Sequence, residues 1–309
     1  MGRVAALLLT LSLMALTASC RKSGAADEHT IRLAYLSISH ALPVIETASD
    51  PELRVELIRY GSWPELMDAL ITGRVDGASV LIELAMKARE RGAPLTAVAL
   101  GHRRGNVIVA GAGVASAEAL RGRVFAIPHR NSSHYLLFRS LLEQHGLQPS
   151  EVQVVELSPS EMPSALFTSQ IGGYCVAEPF GAVGIDKSGG HVIGESDALW
   201  PDGLCCALVL NNRMIEQRPS LAARLVKAYH AAGNRLSDPN VALRALRALK
   251  QISRQPDDVL RASLRWIDFS QLTITETAYR DLTERMRRYG LSEAPPEYAD
   301  FVNPIVDQQ

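Results

Sequence analysis

Residues 61–81 read GSWPELMDALITGRVDGASVL and combine a helical pattern with a short apolar strand. The part WPELMDALITG has proline at its first helical position and apolar residues three and four apart, which predicts an amphipathic helix. The part VDGASVL is a short apolar run, typical of a buried strand. Similar runs at 31–36 (IRLAYL), 54–60 (RVELIRY) and 95–100 (LTAVAL) alternate with helical segments. This alternation predicts an α/β fold whose mostly parallel sheets are covered by helices.

The same order of elements returns in the middle of the chain. Predicted strands at 124–129 (VFAIPH), 152–157 (VQVVEL) and 171–179 (IGGYCVAEP) again alternate with helical segments. A shift of 96 residues also aligns identical side chains, placing Glu65, Ala69, Leu70, Thr72 and Gly77 on Glu161, Ala165, Leu166, Thr168 and Gly173. The equal spacing inside the two units predicts two lobes of one design.

Two isolated apolar runs flank the second unit. NVIVA at 106–110 precedes it, and LCCALVLNN at 204–212 follows it. We interpret both runs as crossings between the lobes, so that lobe 1 comprises residues 30–107 plus 209–309 and lobe 2 comprises residues 108–208. Two crossings allow the lobes to hinge around a cleft. After these units the pattern is helical to the end of the chain.

The N-terminal segment is typical of an exported protein. Residues 1–20, MGRVAALLLTLSLMALTASC, contain an apolar run shorter than the roughly 20 residues of a membrane-spanning helix, which indicates a secretion signal. The sequence TASC resembles a lipobox, although Thr17 replaces the usual aliphatic residue. We expect lipidation and membrane anchoring at Cys20, followed by a flexible tether over residues 21–29. Ordinary signal cleavage near Ala18 is the alternative.

Composition excludes several classes of partner and site. The chain has 32 Lys plus Arg against 33 Asp plus Glu, so no overall charge favours nucleic acid. Beyond Cys20 the cysteines are Cys175, Cys205 and Cys206, an odd number that implies no disulfide framework. The adjacent pair lies in an apolar run, so we expect small buried core residues. Because no second Cys or His pair stands at ligand spacing, the sequence predicts neither a metal site nor a cofactor.

Four runs together resemble a known family. They are GSWPELMDALITGRVDGASVL (61–81), HRRGNVIVA (102–110), LRGRVFAIPHRNSSH (120–134) and GGYCVAEPFGA (172–182). In this order they are similar to solute-binding proteins of the nitrate, sulfonate and taurine class, to which the thiamine-precursor binders are related. The resemblance implies a two-lobed periplasmic-binding-protein-like fold of type II with C-terminal helices. It also implies an extracytoplasmic, non-enzymatic protein that delivers a small polar solute to the permease and ATPase of an ABC importer.

The candidate ligand residues follow from strand ends. In open α/β sheets, ligands bind beyond the carboxyl ends of strands, where helix N-termini present free amide donors. The predicted ligand-binding residues at such ends are Ser39, His40, Gly61, Ser62, Trp63, Ser79, His129, Arg130, Asn131, Ser132, Ser133, Glu178 and Phe180. The segment 129–133 combines a cation, an amide and two hydroxyls, which suit an anion or a polar head group.

Each of these assignments has a structural alternative. Ser39 could be a simple N-cap, Trp63 a core residue, and segment 129–133 a capped helix with an exposed Arg130. Glu178 complicates the choice of ligand, because a carboxylate in the cleft repels a bare anion unless a cation pairs with it. A zwitterion or a heterocyclic amine therefore fits as well as nitrate or a sulfonate.

Two other functions stay open from the sequence. An enzyme on the same fold would resemble the thiamine-pyrimidine synthases, but their cysteine-rich motif is not present and the export signal argues against vitamin synthesis. A lipoprotein that senses a ligand for a membrane receptor is the other alternative. Neighbouring genes would separate these functions, since a permease and an ATPase indicate import whereas a kinase or cyclase indicates sensing.

Overall fold

The fold is that of a computed structural model, which describes residues 29–249, 252 and 254–305. The predicted signal segment with Cys20 and residues 21–28 of the predicted tether lie outside the described residues. The strands are β1 (Thr30–Tyr35), β2 (Arg54–Arg59), β3 (Gly77–Leu81), β4 (Leu95–Leu100), β5 (Arg103–Arg104), β6 (Asn106–Ala110), β7 (Val124–Ile127), β8 (Gln153–Glu156), β9 (Gly173–Ala177), β10 (His191–Glu195), β11 (Cys206–Asn211) and β12 (Ile267–Asp268).

Helices connect most of these strands and fill the C-terminal part of the chain. They are α1 (Leu42–Thr47), α2 (Trp63–Ile71), α3 (Ile82–Glu90), α4 (Ser133–Gln144), α5 (Met162–Phe167), α6 (Phe180–Ser188), α7 (Ser196–Leu199), α8 (Asn212–Gln217), α9 (Pro219–Arg235), α10 (Pro239–Ala248), α11 (Asp257–Leu264), α12 (Glu276–Arg288) and α13 (Tyr298–Phe301). Short 3₁₀ turns lie at Ser39–Ala41, Glu118–Leu120 and Pro149–Glu151.

The two large sheets have the same internal order, as the repeat predicts. The first sheet is ordered β2–β1–β3–β11–β4, and the second, read from its other edge, is ordered β8–β7–β9–β6–β10. The centres of the repeat, β3 at Gly77–Leu81 and β9 at Gly173–Ala177, are offset by the 96 residues of the sequence alignment. Both strands are buried along their whole length, which is typical of strands covered on both faces. The predicted α/β fold is confirmed, but both large sheets are mixed, because each combines parallel and antiparallel pairings.

Each sheet contains one strand that runs against its neighbours. β11 is antiparallel to β3 and β4, and β6 is antiparallel to β9 and β10. These are the two runs interpreted as crossings. The chain leaves the first sheet through residues 101–105 and returns through residues 196–205, so the crossings precede β6 and β11. The predicted boundaries at 107/108 and 208/209 fall inside these strands, and the lobe division itself stays a prediction.

The C-terminal helices pack against helices that accompany each of the two large sheets. α9 packs against α1, whereas α11 packs against α6, where Val259 contacts Ala182 and Val183. Pro219 and Pro239 open α9 and α10 at the positions where proline removes no helical hydrogen bond. Within the described part of the chain, we find no helix that is both long and apolar enough to cross a membrane.

Candidate functional site

Side chains from both sheets meet beyond the carboxyl ends of the strands. Ser39 follows β1, and its backbone N–H and its hydroxyl both donate to the backbone carbonyl of Glu178, which follows β9, at 2.8 and 2.6 Å. The His40 ring lies 6.3 Å from the ring of His134 on α4, between centroids. β1 belongs to the first sheet, whereas β9 belongs to the second and α4 follows β7 of that second sheet, so this region joins the two halves of the fold.

A buried group of imidazoles and thiols occupies this region. It consists of His40, His102, Cys205 and Cys206, which we call the His–Cys cluster. Its four candidate ligand atoms all lie within 4.8 Å of one another. The Nδ1 atom of His40 lies 3.7 Å from the Sγ of Cys205 and 3.6 Å from the Sγ of Cys206. The two sulfurs are 3.9 Å apart and are not bonded to each other, so both thiols are available as ligands.

Backbone carbonyls orient the two imidazoles of the cluster. The Nε2 of His40 lies 3.1 Å from the carbonyl oxygen of Gly105, and the Nδ1 of His102 contacts the carbonyl oxygen of Arg104. Because a carbonyl only accepts hydrogen bonds, each of these ring nitrogens carries the proton. The opposite nitrogens, Nδ1 of His40 and Nε2 of His102, therefore carry lone pairs, and that of His40 lies near both sulfurs.

An unusual turn aims these two carbonyls at the rings. Arg104 and Gly105 have φ angles of +57° and +92°, in the positive-φ region that residues other than glycine rarely adopt. The turn is held by the pairing of β5 with β12 and by an ion pair between Arg104 and Asp268 at 3.5 Å. A backbone conformation of this kind persists only where surrounding contacts enforce it, and such conformations concentrate at functional sites.

Two further buried ionisable groups adjoin the cluster. The carboxyl of Glu83, at the start of α3, and both ring nitrogens of His134 lack a hydrogen-bond partner among the described residues. Burial raises the pKa of Glu83 well above its ordinary value and lowers that of His134 to about 4. Burial therefore favours the uncharged form of both groups, and both add polar atoms to the site.

The thiols respond differently to their surroundings. Burial raises the pKa of the Cys205 thiol, but its hydrogen bond with Cys206 and the positive charges that His134 and His40 carry when protonated lower that pKa by more. The net pKa of Cys205 therefore lies well below the ordinary value of a thiol. For Cys206, burial and the neighbouring Cys205 both raise the pKa. The two adjacent thiols therefore differ in how readily they ionise.

Glu178 is buried at the same junction. Burial raises the pKa of its carboxyl to about 8, although a hydrogen bond from the Ala182 N–H at 3.1 Å and the charge of Arg265 act in the opposite direction. The carboxyl is thus protonated at neutral pH. The repulsion between an anion and this side chain, expected from the sequence, requires the ionised form, which burial disfavours.

Some predicted ligand residues lie next to the cluster. His40 is a member, Ser39 bridges to Glu178, and the hydroxyl of Ser79 lies 3.5 Å from the His40 carbonyl oxygen. Ser133 is buried on α4 beside His134, and its hydroxyl has no hydrogen-bond partner within the described residues.

Other predicted residues lie around a separate cavity. Trp63, His129 and Asn131 line a cavity of about 520 Å³ together with Met67 and Leu84. Trp63 is also 4% exposed and packs into the core, as its structural alternative predicts. The backbone N–H of Asn131 donates to the Nδ1 of His129 at 2.9 Å, so this ring nitrogen is already engaged.

The remaining predicted residues have local structural roles. Ser62 and Ser132 are N-caps, accepting hydrogen bonds from the N–H groups of Glu65 and Tyr135. Gly61 precedes the first cap and is exposed, and the carbonyl of Phe180 accepts a hydrogen bond from the Tyr174 hydroxyl. Their part in ligand binding stays a prediction.

Arg130, the predicted cation, is directed away from the cluster. It is exposed, its N–H donates to a Glu156 carboxylate oxygen at 2.5 Å, and its guanidinium donates to the Val154 carbonyl at 3.0 Å. Both partners lie on β8, at the edge of the second sheet. The structure thus does not bring Arg130 to His40 or Glu178.

Sequence reasoning missed most of the cluster. His102, Cys205 and Cys206 were not predicted as ligands, and neither were Glu83 and His134. The cluster residues come from segments separated by about sixty and a hundred residues, so no local spacing in the sequence indicates them. The only available signal was the adjacent cysteine pair at the end of the second crossing, which the sequence analysis interpreted as small core residues.

Comparison with known proteins assigns the family. The model of the NMT1-like family matches residues 24–249, which is most of the chain. The chain belongs to the NMT1-like family. A ligand-binding component of an ABC-type import system from Staphylococcus aureus, solved with zinc bound, is 37% identical to it. That structure superimposes with a TM-score of 0.84 over 91% of this chain and 98% of the other.

More distant relatives agree on the fold. The alkanesulfonate-binding protein SsuA from Xanthomonas axonopodis, solved with MOPS bound, is 17% identical and gives a TM-score of 0.72 over 90% of this chain and 99% of the other. The NMT1-like chain is also 27% identical to the bicarbonate transport ATP-binding protein CmpC of Synechocystis, over 64% of this chain and 33% of that protein. This NMT1-like chain spans only 29–49% of the full length of the first curated relatives that it matches. The predicted periplasmic-binding-protein-like fold is confirmed.

Proposed function

We propose that this protein is the extracytoplasmic solute-binding component of an ABC importer. The observation that carries the proposal is the likeness to the S. aureus ligand-binding component, at 37% identity over nearly the whole of both chains. The partners are then a permease and its ATPase. An enzymatic function has no support from the S. aureus and Xanthomonas relatives, which are described as binding components.

The solute binds between the two sheets, beyond the carboxyl ends of their strands. The contact of Ser39 with Glu178 and the proximity of His40 to His134 support this position, because each pair joins one sheet to the other. The two crossings act as a hinge, and the solute stabilises the closed arrangement by binding it more tightly than the open one. Export by residues 1–20 and a lipid anchor at Cys20 belong to the same proposal.

A binding titration tests the function. The mature protein, stripped of ligand by unfolding and refolding in chelator, is titrated by calorimetry with taurine, alkanesulfonates, nitrate, bicarbonate and thiamine precursors. Zinc joins this panel because the S. aureus relative was solved with it. We expect one solute to bind at one site per chain without chemical change. Folded protein that binds no member, together with unchanged uptake of every member in a strain lacking the gene, would refute the importer function.

A further inference from the structure

We propose that the His–Cys cluster is the solute site and that the solute is a thiophilic divalent metal ion of the Zn²⁺ type. The four ligands are the Nδ1 of His40, the Nε2 of His102 and the two sulfurs of Cys205 and Cys206. That the metal is transported cargo rests on the proposed importer function, whereas the metal site itself rests on the geometry of the cluster.

The distances of the cluster fit a tetrahedral ion. With bonds of about 2.3 Å to sulfur and about 2.0 Å to nitrogen, the edges of a tetrahedral zinc site are about 3.8 Å between sulfurs and about 3.5 Å between sulfur and nitrogen. The corresponding distances among His40, Cys205 and Cys206 are 3.9, 3.7 and 3.6 Å. Three ligand atoms therefore already form one face of the tetrahedron. His102 supplies the fourth, since the four atoms lie within 4.8 Å of one another.

The second ligand nitrogen is available for coordination. The Nε2 of His102 is buried and has no hydrogen-bond partner among the described residues, while its Nδ1 contacts the Arg104 carbonyl. The His40 ring is oriented in the same way by Gly105. Histidines that bind metals characteristically donate their other N–H to such a carbonyl, which fixes the ring and the tautomer. An unpartnered imidazole nitrogen in the core is costly without a ligand.

Charge selects the class of ion. All four ligand residues are buried, and a buried net charge is strongly disfavoured. Two thiolates and two neutral imidazoles carry a charge of −2, which a divalent cation cancels and a monovalent one does not. Sulfur and imidazole ligands also disfavour Mg²⁺ and Ca²⁺, which prefer oxygen. Binding then releases the protons of the thiols to solvent.

The position of the site suits a cargo ion. His102 lies in the first crossing and Cys205 at the end of the second, so the ion joins both segments that would bend when the lobes open. Two groups on the side of the second sheet cover the site. They are the ring of His134, on the helix that follows β7, and the carbonyl of Glu178, which accepts a hydrogen bond from Ser39. Separation of the two sheets would expose the ion, whereas their closure buries it.

Metal binding by the purified, reduced protein tests the site. We expect one Zn²⁺ per chain in competition with a chromophoric chelator. We expect Co²⁺ to give a thiolate-to-metal charge-transfer band together with the visible bands of tetrahedral cobalt. The double variant Cys205→Ser/Cys206→Ser should lose the charge-transfer band and more than about 100-fold in zinc affinity, because both thiolates are removed.

Matched controls separate ligand loss from misfolding. Cys175→Ala removes the third buried thiol and His145→Ala an exposed histidine on the surface, and neither should change the zinc affinity or the cobalt spectrum. His102→Gln, which replaces one imidazole, should lose the metal but keep the circular dichroism of the wild type. If a ligand variant does not fold, the cobalt spectrum of the wild type still decides whether two thiolates bind.

Three results of the metal-binding measurements would overturn the metal site. They are no zinc binding by folded, reduced protein, zinc binding that the double variant retains, and a cobalt complex without thiolate charge transfer. Titration of free thiols and measurement of the intact mass would detect oxidation of Cys205 and Cys206 to a disulfide. If this disulfide forms in purified protein despite added reductant, the proposal is also overturned.

Other results would separate the metal site from the proposed role in import. Tight zinc binding with unchanged ⁶⁵Zn uptake in a deletion strain would keep the metal site and refute its role in import. Binding of an organic member of the panel without zinc would keep the importer function and refute the metal as its solute.

Discussion

The Nδ1 of His40 lies 3.6 Å from the Sγ of Cys206, although 166 positions separate the two residues in the sequence. The contact forms because β11 crosses back to lie beside β3, which places the end of the second crossing against the turn that follows β1. His102 reaches the same point from the first crossing. Two long-range connections thus assemble one buried site.

Zinc should stabilise the folded protein, and its removal should destabilise it. An ion that binds only the folded state at a free concentration 100 times its Kd adds about 2.7 kcal/mol to the free energy of unfolding. We expect the Tm to rise by several degrees with zinc and to fall back on addition of EDTA, measured by differential scanning calorimetry. Cys175→Ala should keep the zinc-dependent rise. Loss of the zinc-dependent rise in Tm in Cys175→Ala would contradict the assignment of ligands. The same holds if that rise persists in Cys205→Ser/Cys206→Ser.

Gly105→Ala should weaken both the fold and metal binding. Gly105 has φ +92°, and a Cβ there would lie 2.8 Å from the Cγ1 of Ile267, so we expect a loss of about 2–3 kcal/mol in unfolding free energy. Displacement of its carbonyl from His40 should also weaken zinc binding about tenfold. Urea denaturation and chelator competition measure the two effects.

Gly92→Ala is the matched control for that change. Gly92 has φ +87°, and a Cβ there meets nothing within 4 Å, so only the backbone cost of about 1 kcal/mol remains. Zinc affinity should be unchanged. Equal losses of stability in the two variants would mean that the clash between the new Cβ and Ile267 adds no cost.

Glu178→Gln should change how stability depends on pH. The carboxyl has its pKa raised to about 8 in the folded state from an ordinary value of 4.5. Between these values the unfolded chain releases a proton that the folded chain keeps. Rising pH therefore lowers the stability of the wild type relative to the variant by about 1.4 kcal/mol per pH unit at most. Urea denaturation of both proteins from pH 5 to 8 measures the difference.

Glu118→Gln should show no such difference over this range. The pKa of the exposed Glu118 is lowered to about 2 by hydrogen bonds with Ser116 and His145, so it is ionised in both states above pH 6. Its contribution is lost only as the pH falls toward 2. Parallel pH profiles for wild type and Glu178→Gln would show that Glu178 ionises normally.

Arg285→Ala should weaken the packing of α12 against α4 and against Trp200, which follows α7. The Arg285 guanidinium donates to the hydroxyl of Ser140 on α4 at 3.1 Å and lies 4.8 Å from the Trp200 ring centroid. Loss of these contacts should cost about 1–2 kcal/mol of unfolding free energy, measured by urea denaturation. The exposed Arg287 on the same helix is the control, and its replacement by Ala should cost less than about 0.5 kcal/mol. Similar losses in both variants would assign the effect to helix propensity or net charge.

The repeat is the part of the fold that the sequence predicted best. A shift of 96 residues places β3 on β9 because local periodicity determines which short apolar runs become strands. The runs at 106–110 and 204–212 were interpreted as crossings, but pairing with neighbouring strands makes each of them part of a sheet. Pairing depends on long-range contacts, which periodicity within one segment does not report.

The candidate site was predicted less completely. The rule that ligands lie beyond strand ends found Ser39, His40 and Glu178, which the structure brings to one junction. The same rule selected Arg130, whose side chain instead bonds to β8. A strand end specifies where a loop begins, but the direction of a long side chain depends on the acceptors that surround it.

The sequence by itself determined the class of fold, the repeat and the family, because hydrophobic periodicity and motif order are local properties of the chain. Only the tertiary structure showed that Cys205 and Cys206 face His40 and His102, and that this polar group is buried. Burial and long-range proximity arise from the packing of two sheets through two crossings. Those two conditions turn a pair of core cysteines into a candidate metal site.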